Sequence, residues 1–127
     1  MDKKDIKDTA DFLVDTCHGA AYRAGWWHDL NTGEDMRGKR NIGELLCLVH
    51  SEISEAMEGH RKGLMDDKLA HRNMFEVELA DAVIRIFDLA GGCGLDLGGA
   101  IAEKLEYNAS RSDHKPENRR SENGKLY

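Results

Sequence analysis

The chain has 127 residues, 40% of them hydrophobic and 33% charged, with one proline and three cysteines. That length predicts one domain with room for a short tail, large enough to bury roughly two-thirds of its unfolded surface without disulfide or metal staples. Three well-separated cysteines with no CxxC pair argue against a disulfide framework and fit a reducing cytoplasm. Met1–Asp8 is charged and no apolar h-region follows it, so no signal peptide is expected, and no run of 18 apolar residues offers a membrane span. Twenty-four acidic residues against eighteen basic ones give a net charge of −6, which disfavours binding to a nucleic-acid polymer. An acidic chain can still hold a polyanion through an intervening cation, so it matters whether the acidic residues are scattered or gathered.

The single proline and the scarcity of β-branched runs predict an all-α fold. A first helix is expected over about 5–24, where Ile6, Ala10, Leu13, Cys17, Ala20 and Ala24 recur at helical spacing. Gly25 ends it. Trp26-Trp27-His28 then opens a polar, glycine-punctuated connection through Arg40, which reads as a loop of the length that often forms a lid or binding segment. Asn41 is a plausible N-cap for a second helix to about Arg61, with Ile42, Leu45, Leu46, Val49, Ile53, Ala56 and Met57 on one stripe and Gly63 just past its end. A polar, basic segment leads to a third helix over about 73–90, apolar at Phe75, Leu79, Val83, Ile86, Phe87 and Ala90, with Glu76 oddly placed towards that arc. Gly91-Gly92-Cys93-Gly94 is read as a firm stop. Asp96 caps a fourth helix expected to run through about His114, before Pro116. Residues 1–115 are thus expected as the domain and 116–127 as a charged, poorly ordered tail.

The acidic residues are gathered on the second and third helices. Glu52 and Glu55 are three residues apart, as are Glu78 and Asp81, which places each pair on one helical face. Carboxylates so placed repel, and two facing pairs would repel more unless a divalent cation lay between them. Mg²⁺ suits that role because it takes carboxylate oxygens and keeps waters or substrate phosphates in its other positions. Taken singly, either pair also fits a solvated helix face. A ferritin-like di-iron centre needs Glu-x-x-His pairs, and none occurs: the residues three before the six histidines are Asp15, Gly25, Cys47, Met57, Lys68 and Arg111. Cys47-x-x-His50 has no second pair with which to complete a zinc site.

Glu52-x-x-Glu55, followed after residues 56–77 by Glu78-x-x-Asp81, resembles the ExxE…ExxD signature of the MazG-like family of all-α nucleoside triphosphate pyrophosphatases. Arg40-Asn41 before the second helix, Ser51-Glu52-Ile53-Ser54-Glu55-Ala56, Glu78-Leu79-Ala80-Asp81-Ala82-Val83 and Lys104-x-x-x-Asn108 on the last helix extend the likeness over about residues 40–111. The resemblance implies a four-helix MazG-like bundle that assembles as a homodimer or homotetramer. It also implies Mg²⁺-dependent hydrolysis of a (d)NTP to (d)NMP and pyrophosphate, with Mn²⁺ able to substitute for Mg²⁺. Glu52, Glu55, Glu78 and Asp81 would be the metal ligands, and Glu52 or Glu55 would orient or deprotonate the attacking water.

Lys104, Asn108, Arg111 and Lys115 recur at offsets of four, three and four, one stripe along the expected fourth helix. Lys104, Asn108 and Arg111 are the candidates for phosphate or sugar oxygens. Trp26, Trp27 and His28 either meet the base, since indole faces stack on bases, or wall the core where the first helix ends. The partners expected are therefore a nucleoside triphosphate and further copies of the chain, with no nucleic-acid polymer and no membrane, in the cytoplasm. Phosphoribosyl-ATP or dUTP pyrophosphatase is the alternative within the same superfamily. A non-catalytic helical interaction module is the alternative outside it.

Overall fold

The computed structural model describes residues 2–127, and its secondary structure is helical throughout: α1 (Lys3–Arg23), α2 (Ile42–Lys62), α3 (Met74–Gly92), α4 (Leu97–Ser110), a 3₁₀ turn (Ser112–His114) and the single-turn α5 (Pro116–Arg119). The protein is all-α, with five helices and no β-strand among the described residues. No helix among them is long and apolar enough to cross a membrane.

Local chemistry explains the boundaries. The Asn41 side chain accepts the Glu44 N–H at 3.2 Å to open α2, and Gly63 closes it in the left-handed region at φ 62°, a conformation that costs glycine little. At the start of α3, Glu76 Oε1 accepts the Asn73 backbone N–H at 3.2 Å, and its other oxygen lies 3.6 Å from Arg72. Glu76 is therefore the acid at the third helical position of a capping box, which accounts for its odd position beside the apolar arc. Asp96 accepts the Gly99 N–H at 2.9 Å to start α4.

The fourth helix is shorter than the sequence predicts. It ends at Ser110, whose hydroxyl turns back to the Tyr107 carbonyl at 2.8 Å. Arg111 and Lys115 both adopt extended backbone, at ψ 134° and 132°. Pro116 enforces the second of these, because the residue before a proline is excluded from the helical region. The stripe expected from Lys104 to Lys115 is thereby broken after Asn108. Residues 116–119 of the charged C-terminal segment form α5.

The chain divides into two compact units, 12–95 and 1–11 with 96–127. In the first, α2 and α3 form an antiparallel hairpin. Its connection is tied by the Met65–Asn73 bridge and by the Asp66 carboxylate, which accepts the Lys68 and Leu69 N–H groups at 3.0 and 2.7 Å. Leu45, Ala56, Ala82, Ala90 and Trp27 are its buried apolar residues. The loop from Gly25 to Arg40 is pinned by the His28–Asp35 bridge and by Asp29, which accepts two backbone N–H groups of its own turn. In the second unit, Ala10 and Ala102 are buried and Lys7 joins Asp11 and Asp96 at 2.9 and 3.0 Å.

Candidate metal centre and the adjoining cleft

Glu52 and Glu55 leave α2 on neighbouring turns, and Glu78 leaves α3 opposite them. One carboxylate oxygen from each lies within 4.8 Å of the other two. Glu52 and Glu78 are buried, at 8% and 9% exposure, while Glu55 is open to solvent. Among the described residues only Glu52 of the three has a cation: its Oε1 accepts from Arg85 Nε at 3.1 Å. Glu78 Oε2 is buried with no hydrogen-bond partner among the described residues. Burial, followed by the contacts with Glu52 and Glu55 and their charges, pushes the Glu78 carboxyl up to about 8. Burial also raises Asp81, assisted by the charge of Glu52 and opposed by Arg85.

A buried carboxylate facing two others is costly to leave unpaired. The arrangement fits a divalent cation on two counts: it offers three hard oxygen donors, and one of them has no other partner. Of the four acids that the spacing singles out, the structure gathers Glu52, Glu55 and Glu78. Asp81 stands outside this three-oxygen group and shares the wall of a neighbouring cleft with Glu52.

That cleft has a volume of about 810 Å³. Ala20 and Ala24 of α1, Leu45 and Leu48 of α2, and Ile84 and Leu89 of α3 give it a largely apolar wall, and Arg40, Glu44, Glu52, Asp81, Arg85 and Asp88 are the charged groups along it. The three candidate base-binding residues part company here. Trp27 is 1% exposed and donates its indole N–H to Asp88 Oδ1 at 2.8 Å, so it is a core residue set into the cleft wall. Trp26 is 70% exposed and borders the cleft. His28 packs edge-on against Tyr22, with ring centroids 4.6 Å apart.

Lys104 and Asn108 line a shallow hollow of about 450 Å³ on α4 with Ala100, Ile101 and Leu105. The Lys104 ammonium lies 4.7 Å from the centre of the Tyr107 ring. Arg111, off the helix, is bound by Asp113 through Nε at 2.9 Å and a second guanidinium nitrogen.

Sequence reasoning passed over Asp88 and His18, although they hold Trp27. His18 Nδ1 meets Asp88 Oδ1 at 3.0 Å, so two rings, from α1 and the loop, converge on one carboxylate oxygen of α3. The two glycines read as a helix stop are what admit them. A Cβ on Gly91 would lie 2.5 Å from His18 Cβ, and one on Gly92 would overlap the Trp27 ring. The available signal was a glycine pair inside an otherwise helical pattern, which marks close approach as readily as termination.

The fold and the site together define an all-α protein whose buried acidic cluster is able to coordinate a divalent metal. No protein-family model, curated protein or solved structure matches the chain.

Proposed function

We propose that the protein is a Mg²⁺-dependent nucleoside triphosphate pyrophosphohydrolase that releases pyrophosphate from a (d)NTP. One observation carries the reading: a buried, partnerless carboxylate oxygen on Glu78, within 4.8 Å of two further glutamates and beside a cleft of about 810 Å³. The ExxE…ExxD resemblance supplies the reaction class.

A bound divalent cation neutralises triphosphate charge and lowers the pKa of a ligated water. Glu52, Glu55 and Glu78 hold the ion. Asp81, on the cleft side, completes the set directly or through a water. Arg85 fixes the Glu52 carboxylate, which leaves the exposed Glu55 as the group that orients the attacking water and accepts its proton. Positioning and charge stabilisation then account for most of what this class of reaction requires. Lys104 and Asn108 are proposed for phosphate or sugar oxygens, and Arg111 less directly, since Asp113 engages its guanidinium.

A homodimer or homotetramer belongs to the same proposal. Leu46, Ile53 and Met57 on α2 and Phe75, Leu79, Val83 and Ile86 on α3 all stay at least 40% exposed, more contiguous apolar surface than a small monomer ordinarily leaves open.

The test is pyrophosphate release from a panel of NTPs and dNTPs with Mg²⁺ and with EDTA. We expect release from at least one substrate, abolished by EDTA. Failure of folded protein to release it from any substrate would sink the hydrolase reading, and orthophosphate as the product would sink the bond assignment.

A further inference from the structure

The cleft contains a carboxylate that the proposed hydrolysis does not use. Asp88 lies two helical turns beyond Asp81 on α3, about 10.5 Å along the axis, and both residues line the cavity. Asp88 Oδ1 is occupied by Trp27 Nε1 at 2.8 Å and His18 Nδ1 at 3.0 Å. Both donors are themselves immobilised against Gly92 and Gly91. Asp88 Oδ2 has no hydrogen-bond partner among the described residues and is not sealed from solvent. The carboxylate is therefore held rigidly by one oxygen and offers the other.

Ala20, Ala24, Leu48 and Leu89 line the same cavity, and Arg40 and Glu44 are its charged groups outside the acidic end and Asp88. Small and aliphatic side chains on opposing helices suit a flat ring, with few polar groups to fix its orientation. An ionised carboxylate only accepts hydrogen bonds. A heterocycle that turns an N–H towards Oδ2 is held there, and one that turns a carbonyl oxygen towards it is repelled.

We propose that this cleft receives the nucleobase and that Asp88 is the specificity-determining residue, accepting a hydrogen bond from an exocyclic amino group. Amino-bearing bases, cytosine and adenine, are then preferred to their keto counterparts, uracil and hypoxanthine. The inference rests on the hydrolase reading, which places the phosphates at the Glu52 and Asp81 end. The two turns from Asp81 to Asp88 then match the span of a nucleoside from its 5′ oxygen to the far edge of its base.

The test compares matched pairs, CTP with UTP and ATP with ITP, by kcat/KM for pyrophosphate release, alongside titration of CMP and UMP in the presence of Mg²⁺ followed by tryptophan fluorescence. We expect at least about a tenfold preference for the amino member of each pair in rate, and for CMP in affinity, as a pocket that rejects a mismatched polar edge delivers. Asp88→Asn keeps an acceptor for the Trp27 N–H and adds an amide donor for a keto oxygen. It should bring the ratios to about one or invert them. Equal rates and affinities in the wild type overturn the proposal. An Asp88→Asn variant that slows every substrate alike with its ratios intact also overturns it, because that pattern assigns Asp88 to packing. Should the variant not fold, the wild-type ratios decide. If no triphosphate yields pyrophosphate, the hydrolase reading fails on its own, and the CMP–UMP titration decides the base site separately.

Discussion

Two carboxylates on α3, ten residues apart, have met opposite fates. Asp88 receives two ring N–H donors on one oxygen, and the helix beside it carries glycines so that those rings can come close. Glu78 faces two other glutamates and keeps a buried oxygen with no partner. Folding can satisfy a carboxylate with donors from its own chain, and at one end of the hairpin it does. At the other end the chain supplies more negative charge, which raises the free energy of the metal-free fold. Such a deficit is removed by a ligand that brings positive charge, and for that reason perturbed carboxylates concentrate at functional sites.

The comparison breaks most visibly in turnover. Glu55→Gln and Asp81→Asn should each lower pyrophosphate release by about 100-fold or more, a loss of roughly 2.7 kcal/mol of transition-state stabilisation, with the helical circular-dichroism signal unchanged. Near-wild-type rates in both would remove these residues from the chemistry. Binding of the ion should show next, in stability. Mg²⁺ at 100 times its dissociation constant adds about 2.7 kcal/mol to the folded state, roughly 10 °C in Tm for a chain of this length. EDTA should reverse the rise and Glu78→Gln should abolish it. A shift that survives Glu78→Gln would show that the ion sits elsewhere.

At the satisfied end the sensitive atom is a missing one. Gly92→Ala places a methyl group in the Trp27 ring, and overpacking of a fixed aromatic costs about 1–3 kcal/mol. Gly59→Ala also meets a neighbour, Met74, at Cγ 2.7 Å and Cβ 2.8 Å; the thioether end can turn away but the Cβ cannot, so a cost remains, smaller than that of meeting the rigid Trp27 ring. Chemical unfolding of both variants checks the order. A harmless Gly92→Ala would mean that Trp27 is not locked, and that Asp88 is less firmly held than its two donors suggest.

Helix positions were legible because each is written in local chemistry: apolar spacing, Asn41 and Asp96 as caps, Gly63 as a stop. The acidic cluster was legible because two three-residue offsets on consecutive helices place it there. Arg111 was misplaced because helical spacing was extrapolated up to Pro116, whereas the proline had already forced Lys115 out of the helix and Arg111 turned to Asp113. The Asn73–Glu76 box is also written in local spacing, although Glu76 lies beside the apolar arc of α3, where a carboxylate looks out of place until its capping role is seen. The Trp27–Asp88 and His18–Asp88 contacts bridge 61 and 70 residues of chain. No local pattern encodes such contacts, and so the end of the cleft that Asp88 occupies came into view only with the fold.

The smallest effect separates the two ends by pH. Glu78 is raised from an ordinary 4.5 to about 8 by burial and by its glutamate neighbours. A raised carboxyl contributes stability that is present in full below its unfolded pKa and is lost as pH climbs through the folded one. Metal-free protein should therefore lose stability between about pH 5 and pH 8, whereas Glu78→Gln should show less of that decline. Carboxylates already paired with arginine behave in the opposite sense. Asp113 is lowered to about 2, first by its hydrogen bonds to Arg111, so its contribution disappears only in strong acid, well outside the window. Every other ionisable group is common to both proteins and cancels in the difference between the two Tm profiles. Parallel profiles from pH 5 to pH 8 would mean that Glu78 is already ionised in the metal-free fold, and that its neighbours are too well hydrated to create a deficit for a cation to relieve.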